Sequence, residues 1–294
     1  MLICRSPAKI NLCLDVLSRR DDGYHELQSV AHTVGLWDTL AFEFGGAGFS
    51  LRCNDAALET QDNLCWHAAR AWQSATQIEI GGLKIALQKI IPSGAGLGGG
   101  SGNAAATLLA LNRKFDEPLN ANDLSEVAAT LGADVPLFLR GGCVLMEGVG
   151  EKLTPLPPLS GWLLLAQPTR GLSTPAVYRR FDELEKTSMR ATSALLAAMK
   201  TGELKQIADA LGNDLTAAAQ SLGEDVNGLI AKLRECGALS AEMTGSGSCV
   251  FGIFVDEATA RAALRQCEGN PLFHRVFVAP LVGAGVEMVD GEVA

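Results

Sequence analysis

IIPSGAGLGGGSGNAAATLLALN, residues 90–112, decides how this chain is read. Six glycines fall between Gly94 and Gly102, and an alanine- and leucine-rich stretch follows them directly. Without a Cβ, backbone N–H groups approach an anion closely. The helix that follows adds free N–H groups and the positive end of its dipole. Together these make a phosphate site, and a polyphosphate is its natural ligand. A ligand-free glycine turn would carry a heavy unfolded-state entropy cost that packing alone rarely explains.

Several phosphate loops compete for this pattern. Gly94, Gly96 and Gly99 satisfy G-x-G-x-x-G, the dinucleotide fingerprint. The preceding LKIALQ, however, alternates apolar and polar, as a strand with one wet face does, whereas a Rossmann strand is apolar throughout. The loop also lacks the G-x-x-x-x-G-K-[ST] spacing of a Walker loop.

Outward from the loop, ICRSPAKINLCLDVL reads as two β segments broken at Pro7, and SVAHTVGLWDTLAFEF continues the strand pattern. A helix is expected from Asp62 through Trp72 and another over about 121–130. The TPLPPLS cluster at 154–160 removes backbone donors and reads as a connection, dividing the chain into residues 1–157 and 158–294. The second part reads as a strand (WLLLAQP), helices over about 175–236, a strand–glycine loop–strand unit (ALSAEMTGSGSCVFGIFV), a helix over 258–266 and a last strand (HRVFVAP). Such an ending fits an α+β sandwich with helices on one face of an antiparallel sheet.

The 294 residues are 48% hydrophobic, enough for a large core. A net charge of −9 argues against nucleic acid, whose phosphates need a basic footprint. No apolar run approaches the roughly 20 residues of a membrane span, and no secretory signal opens the chain. A cytoplasmic protein is expected. The eight cysteines form no CxxC pair and read as small buried hydrophobes; the four histidines form no metal signature.

With PxGxGLGGGSxxAA leading into a helix, SPAKINLCLDV at 6–16 and MTGSGSCVFGIF at 243–254, the chain resembles the GHMP kinase superfamily. Three motifs in order span nearly its whole length. PAKINLCLDVLSRRDDGYHELQSV (7–30), GADVPLFLRGG (132–142) and GLSTPAVY (171–178) further resemble the branch of that superfamily that phosphorylates cytidine-diphospho-methylerythritol in non-mevalonate isoprenoid biosynthesis. RRDDGYHEL distinguishes this branch from homoserine and mevalonate kinases. The resemblance implies a ribosomal-protein-S5-like first half, a ferredoxin-like second half, and transfer of the ATP γ-phosphoryl to the substrate's 2-hydroxyl, with ATP and Mg2+ as cofactors and a small molecule as partner. A monomer or weak homodimer is expected. A non-catalytic sensor on the same fold would be expected to lose the base or the lysine named next.

Read on chemistry alone, Asp134 before Val135-Pro136 is a helix N-cap and Lys9 a solvated strand-edge lysine. The resemblance makes Asp134 the candidate base and Lys9 its cationic partner. ATP-binding candidates are Pro92, Ser93, Gly94, Ala95, Gly96, Leu97, Gly98, Gly99, Gly100, Ser101, Gly102 and Asn63, the last also a plausible helix cap. Substrate candidates are Asn11, Tyr24, His25, Thr174, Pro175 and Tyr178. Tyr24 would stack the cytosine and His25 would reach its pairing edge, while Asp-Asp-Gly-Tyr-His also fits a turn with Gly23 at positive φ. The family often carries Ser-Asp where this chain has Gly102-Asn103, which makes Asn103 a poor magnesium ligand; the sequence picks out no residue as a metal ligand. The Gly245–Ser248 loop reads as a hairpin turn that also floors the site.

Overall fold

The computed structural model describes residues 1–169, 171–184, 190–223 and 225–289. The chain opens with two long antiparallel strands, β1 (Leu2–Arg19) and β2 (His25–Phe44). β1 is one strand, not two. Its pairing with β2 shifts register between Pro7 and Ala8, and again between Asn11 and Cys13. At the first shift the extra residues are Gly35 and Leu36 of β2, so the ladder is already interrupted beside Pro7, and the proline's missing donor does not end the strand. β1 is buried almost throughout, because it is covered on both faces.

β3 (Phe49–Cys53) precedes α1 (Leu64–Thr76), which is capped by Asn63 as its sequence allows, and starts two residues after the expected Asp62 and runs on past Trp72. β4 (Leu83–Gln88) alternates buried and exposed at every residue, as its sequence implies. Then come α2 (Gly99–Lys114), α3 (Ala121–Leu131), α4 (Val135–Arg140), β5 (Cys143–Gly148) and β6 (Lys152–Leu156). The chain leaves this sheet after Leu156 and enters a second one at β7 (Trp162–Gln167).

Helices α5 (Thr174–Glu183), α6 (Ala191–Met199) and α7 (Leu204–Asp209) lead to the short β8 (Gly212–Asn213). After it lie α8 (Thr216–Ser221), α9 (Val226–Glu235), β9 (Ser240–Met243), β10 (Val250–Phe254), α10 (Glu257–Cys267), β11 (Arg275–Pro280) and β12 (Glu287–Val289). The second sheet runs β11-β7-β10-β9, all antiparallel. Fourth, first, third, second in chain order, with helices after its first and third strands, it has the βαββαβ arrangement of a ferredoxin-like half.

The first sheet runs β12-β1-β2-β4-β3, with β5 on the other end of β2, β6 beyond it, and β8 parallel to β1. The second part of the chain therefore returns twice to the first sheet, through β8 and β12. One apolar core holds the two sheets together: Ala8, Ile10, Leu12 and Val34 pack with Leu163, Leu165, Phe251 and Ile253. A second core packs α1 and α2 on the first sheet around the fully buried Trp72 and Phe42. All eight cysteines are free thiols and seven are buried, as expected of small hydrophobes. Among the described residues no helix is long and apolar enough to cross a membrane.

Candidate active site

Three adjoining cavities run from the glycine loop to the start of α5. The first, of 360 Å3, lies along the glycine loop and is lined by Pro92, Ser93, Gly94, Ala95, Gly96, Gly98, Gly99, Gly100 and Ser101, with Asn63, Lys89 and Asn103. The second, of 280 Å3, shares Gly96, Gly98 and Ser101 with it and holds Lys9, Asn11, Asp134, Thr174 and Tyr178. The third, of 470 Å3, shares Thr174 and Tyr178 with the second and adds Tyr24, His25, Pro175 and Asp182. The order is glycine loop, charged pair, aromatic pocket.

Two of the donor candidates do not face the first cavity. Leu97 is 1% exposed and packs in the core, although its carbonyl accepts from Lys9 N at 2.9 Å. Gly102 lies against β1, where a Cβ would collide with Ser6 Oγ. The glycines thus have different reasons. At Gly98, φ is +69° and a Cβ would stand 2.7 Å from Phe138 Cζ and 2.9 Å from Lys9 Cγ. Gly94, at φ +67°, meets nothing within 4 Å, and Gly100 meets only Leu64 Cδ1, at 3.5 Å. Those two open into the cavity; Gly98 makes room for Phe138 and the Lys9 stem. Asn63 lines the cavity, yet its carboxamide accepts from Cys65 N at 3.0 Å and donates to Leu58 O at 3.0 Å, so the capping role is filled.

In the second cavity, Lys9 and Asn11 sit two apart on β1 and share a face. Lys9 is 4% exposed, not a solvated edge residue. Its ammonium donates to Asn11 Oδ1 at 2.6 Å and lies 3.4 Å from Asp134 Oδ2. Asn11 Nδ2 donates to Ser29 Oγ at 2.7 Å, and Ser29 Oγ to Cys13 O at 2.6 Å, which fixes the amide's orientation. Asp134 occupies the N-cap position of α4 but makes no side-chain cap hydrogen bond. The expected cap is not made: its carboxylate turns to Lys9 and remains partly exposed, at 31%.

At the far end, residues 20–24 form the expected turn. Arg20 N donates to Tyr24 O at 2.7 Å, and Gly23 takes φ +86°. The turn leaves Tyr24 67% exposed at the rim, while His25 is 7% exposed. The His25 ring stacks on Tyr178 with centroids 5.0 Å apart, and its Nε2 pairs with Asp182 Oδ1 at 2.9 Å. One face and one edge of the imidazole are therefore occupied. Burial, with Asp134 adding to it, pushes the Tyr178 phenol up to about 12, so it stays a neutral donor.

Sequence reasoning named Thr174 and the Gly245–Ser248 loop but passed over Thr244, which fastens the two glycine loops together. Thr244 Oγ1 accepts from Asn11 N at 2.9 Å and donates to Gly96 O at 3.4 Å, tying the charged pair to the phosphate loop. Ser246 Oγ and Thr174 Oγ1 share a hydrogen bond of 2.7 Å, which holds the start of α5 over the second cavity. The Gly245–Ser248 segment is thus more than a turn; the MTGSGS motif marked the place, without a partner to suggest what it binds.

An anion loop at a helix N-terminus beside a buried lysine–aspartate pair, framed by two interlocked glycine loops, defines a small-molecule kinase of the GHMP type. Models of the GHMP kinases N-terminal domain and the GHMP kinases C-terminal domain match residues 63–142 and 195–270. A 4-diphosphocytidyl-2-C-methyl-D-erythritol kinase of Pelotomaculum thermopropionicum is 41% identical over 278 residues, 92% of this chain and 96% of the relative. One of Moorella thermoacetica is 42% identical over 258 residues, 86% of this chain and 90% of the relative. A crystal structure of 4-(cytidine 5'-diphospho)-2C-methyl-D-erythritol kinase, 34% identical, superposes with a TM-score of 0.81 over 96% of this chain and all of the other. The chain belongs to the 4-diphosphocytidyl-2-C-methyl-D-erythritol kinase family.

Proposed function

We propose that the chain transfers the γ-phosphoryl group of ATP to the 2-hydroxyl of 4-diphosphocytidyl-2-C-methyl-D-erythritol. The observation that carries this reading is the Lys9–Asp134 pair in the cavity between the glycine loop and the aromatic pocket. In-line transfer needs a hydroxyl held between a phosphate clamp and a base. Asp134, with no capping bond to satisfy, accepts the hydroxyl proton. The oxygen bonds to the γ-phosphorus as the bond to the β,γ-bridging oxygen breaks, and ADP leaves. Lys9, oriented by Asn11, stabilises the charge on the attacking oxygen. The N–H groups at the start of α2 and the open positions at Gly94 and Gly100 hold the polyphosphate.

The aromatic pocket suits the cytosine end: Tyr24 offers a ring face at the rim, and Thr174, Pro175 and Tyr178 form the inner wall. Among the described residues no cluster of three or more His, Cys, Asp or Glu could hold a metal. A magnesium ion would keep several waters and rest on the substrate's phosphate oxygens. Asn103 Oδ1, buried without a hydrogen-bond partner, belongs to a residue lining the donor cavity and suits a water of that shell. When bound, the ion neutralises charge on the phosphoryl oxygens. The test is ADP release by purified protein given ATP and, separately, the cytidine substrate, mevalonate or homoserine. The cytidine substrate alone should drive turnover; turnover with either of the others in its place would overturn the reading.

A further inference from the structure

One buried charged pair reaches the donor cavity from behind the glycine loop. Asp38, on β2, is 0% exposed. Its Oδ1 accepts from Ile90 N at 2.7 Å and Ile91 N at 2.8 Å, and its Oδ2 accepts from Lys89 Nζ at 2.5 Å. The same ammonium donates to Ile91 O at 2.7 Å. One carboxylate thus gathers residues 89–91, which lead from β4 into the glycine loop.

A lysine ammonium carries three N–H donors. Two are committed here, and the third is left over. Lys89 lines the donor cavity, whereas Asp38 does not. Lys89 Nζ also lies 2.6 Å from the place a Cβ of Gly99 would take, against the first residue of α2. The pair therefore presents its positive end to the cavity and keeps its negative end behind. Asp38 is accounted for by the two backbone N–H groups it satisfies, since an apolar residue there would leave them buried and unpaired. Nothing of that kind accounts for the third N–H of Lys89, whose burial carries a desolvation penalty; an anionic ligand in the adjoining cavity does.

We propose that Asp38 is a positioning residue for the donor nucleotide. Through Lys89 it holds an ammonium with one free N–H at the N-terminus of α2, and through Ile90 and Ile91 it fixes the entry to the glycine loop. Untethered, a lysine on its four-carbon stem would sample many rotamers and lose that aim. The inference rests on the reading of the first cavity as the ATP site.

The test is Asp38→Asn, which keeps an oxygen for the two backbone N–H groups but withdraws the charge that holds Lys89. Losing a charge-assisted tether should weaken ATP binding about tenfold or more, with the KM for the second substrate unchanged. The Asp38→Asn/Lys89→Met double variant leaves no buried charge; it should regain thermal stability while ATP binding stays weak. A purely structural pair would instead lower stability in the single variant and leave ATP affinity, read by calorimetry, at the wild-type value in both. That result overturns the proposal. If the single variant does not fold, the double variant decides alone: weakened ATP binding supports the proposal, and wild-type affinity overturns it. Wild-type protein that binds ATP calorimetrically but does not phosphorylate the cytidine substrate would count against the reaction, not against Asp38.

Discussion

Lys9 Nζ stands 3.4 Å from Asp134 Oδ2 on the wall of the cavity that adjoins both the glycine loop and the aromatic pocket. Its neighbours hold that geometry from three sides. Asn11 accepts from the ammonium, Leu97 O accepts from the Lys9 backbone, and Gly98 leaves room for the lysine stem. The bulge in β1 just after Asn11 marks where the strand bends beside this site, as bulges near reacting groups do.

Gly100 separates the loop's ligand role from its packing role. It is the second residue of α2 and meets only Leu64, at 3.5 Å, so Gly100→Ala fits the fold. Alanine in a helix is favoured over glycine by up to about 1 kcal/mol, so the melting temperature should hold or rise. The added methyl projects into the donor cavity, and the KM for ATP should rise about tenfold. Steady-state kinetics and thermal melting check both signs together; an unchanged ATP constant would remove the phosphates from this loop. Gly98→Val is the weaker probe, because it strikes Phe138 and Lys9.

Tyr24 is exposed, so Tyr24→Ala should leave stability unaltered. If its ring stacks the cytosine, removal costs about 1–3 kcal/mol, or roughly five- to 150-fold in the constant for the cytidine substrate. Tyr24→Phe should change it little, and neither variant should move the ATP constant. A shift confined to ATP would place the turn on the donor side.

His32 makes stability pH-dependent. Leu159 N donates to its Nε2 at 2.9 Å, so Nδ1 carries the proton and donates to Thr33 O at 2.8 Å. The neutral ring pins the proline-rich crossover to β2. Burial lowers its pKa from the ordinary value near 6.5. The unfolded chain then binds the proton first, so His32's contribution is full above about 6.5 and falls as pH drops through the folded-state value. Urea midpoints measured from pH 8 to pH 5 should decline below 6.5, and His32→Gln should flatten that decline. An identical slope in the variant would assign the acid sensitivity to other groups.

Local chemistry explains what could be read in advance. β4 showed itself because its period of two matches its burial, and the glycine loop because six glycines in nine residues serve few other ends. Pro7 misled because proline usually ends a strand; only the pairing with β2 reveals the bulge that accommodates it. β8 and β12 are two and three residues long, and their pairing to β1 is non-local, so no periodicity announces them. Asp134 offered two roles, and the missing cap bond removes only the capping one. Asp38 and Lys89 lie 51 residues apart, and nothing in either segment names the other.

The central claim is that Asp134 takes the proton of the acceptor hydroxyl. The most direct measurement is kcat of Asp134→Asn with ATP and the cytidine substrate saturating, alongside the calorimetric ATP constant. Loss of a general base costs about 10²–10⁴-fold, so kcat should fall by that much while ATP affinity holds. A kcat within a few-fold of wild type would contradict the account and leave Asp134 as no more than a neighbour of Lys9.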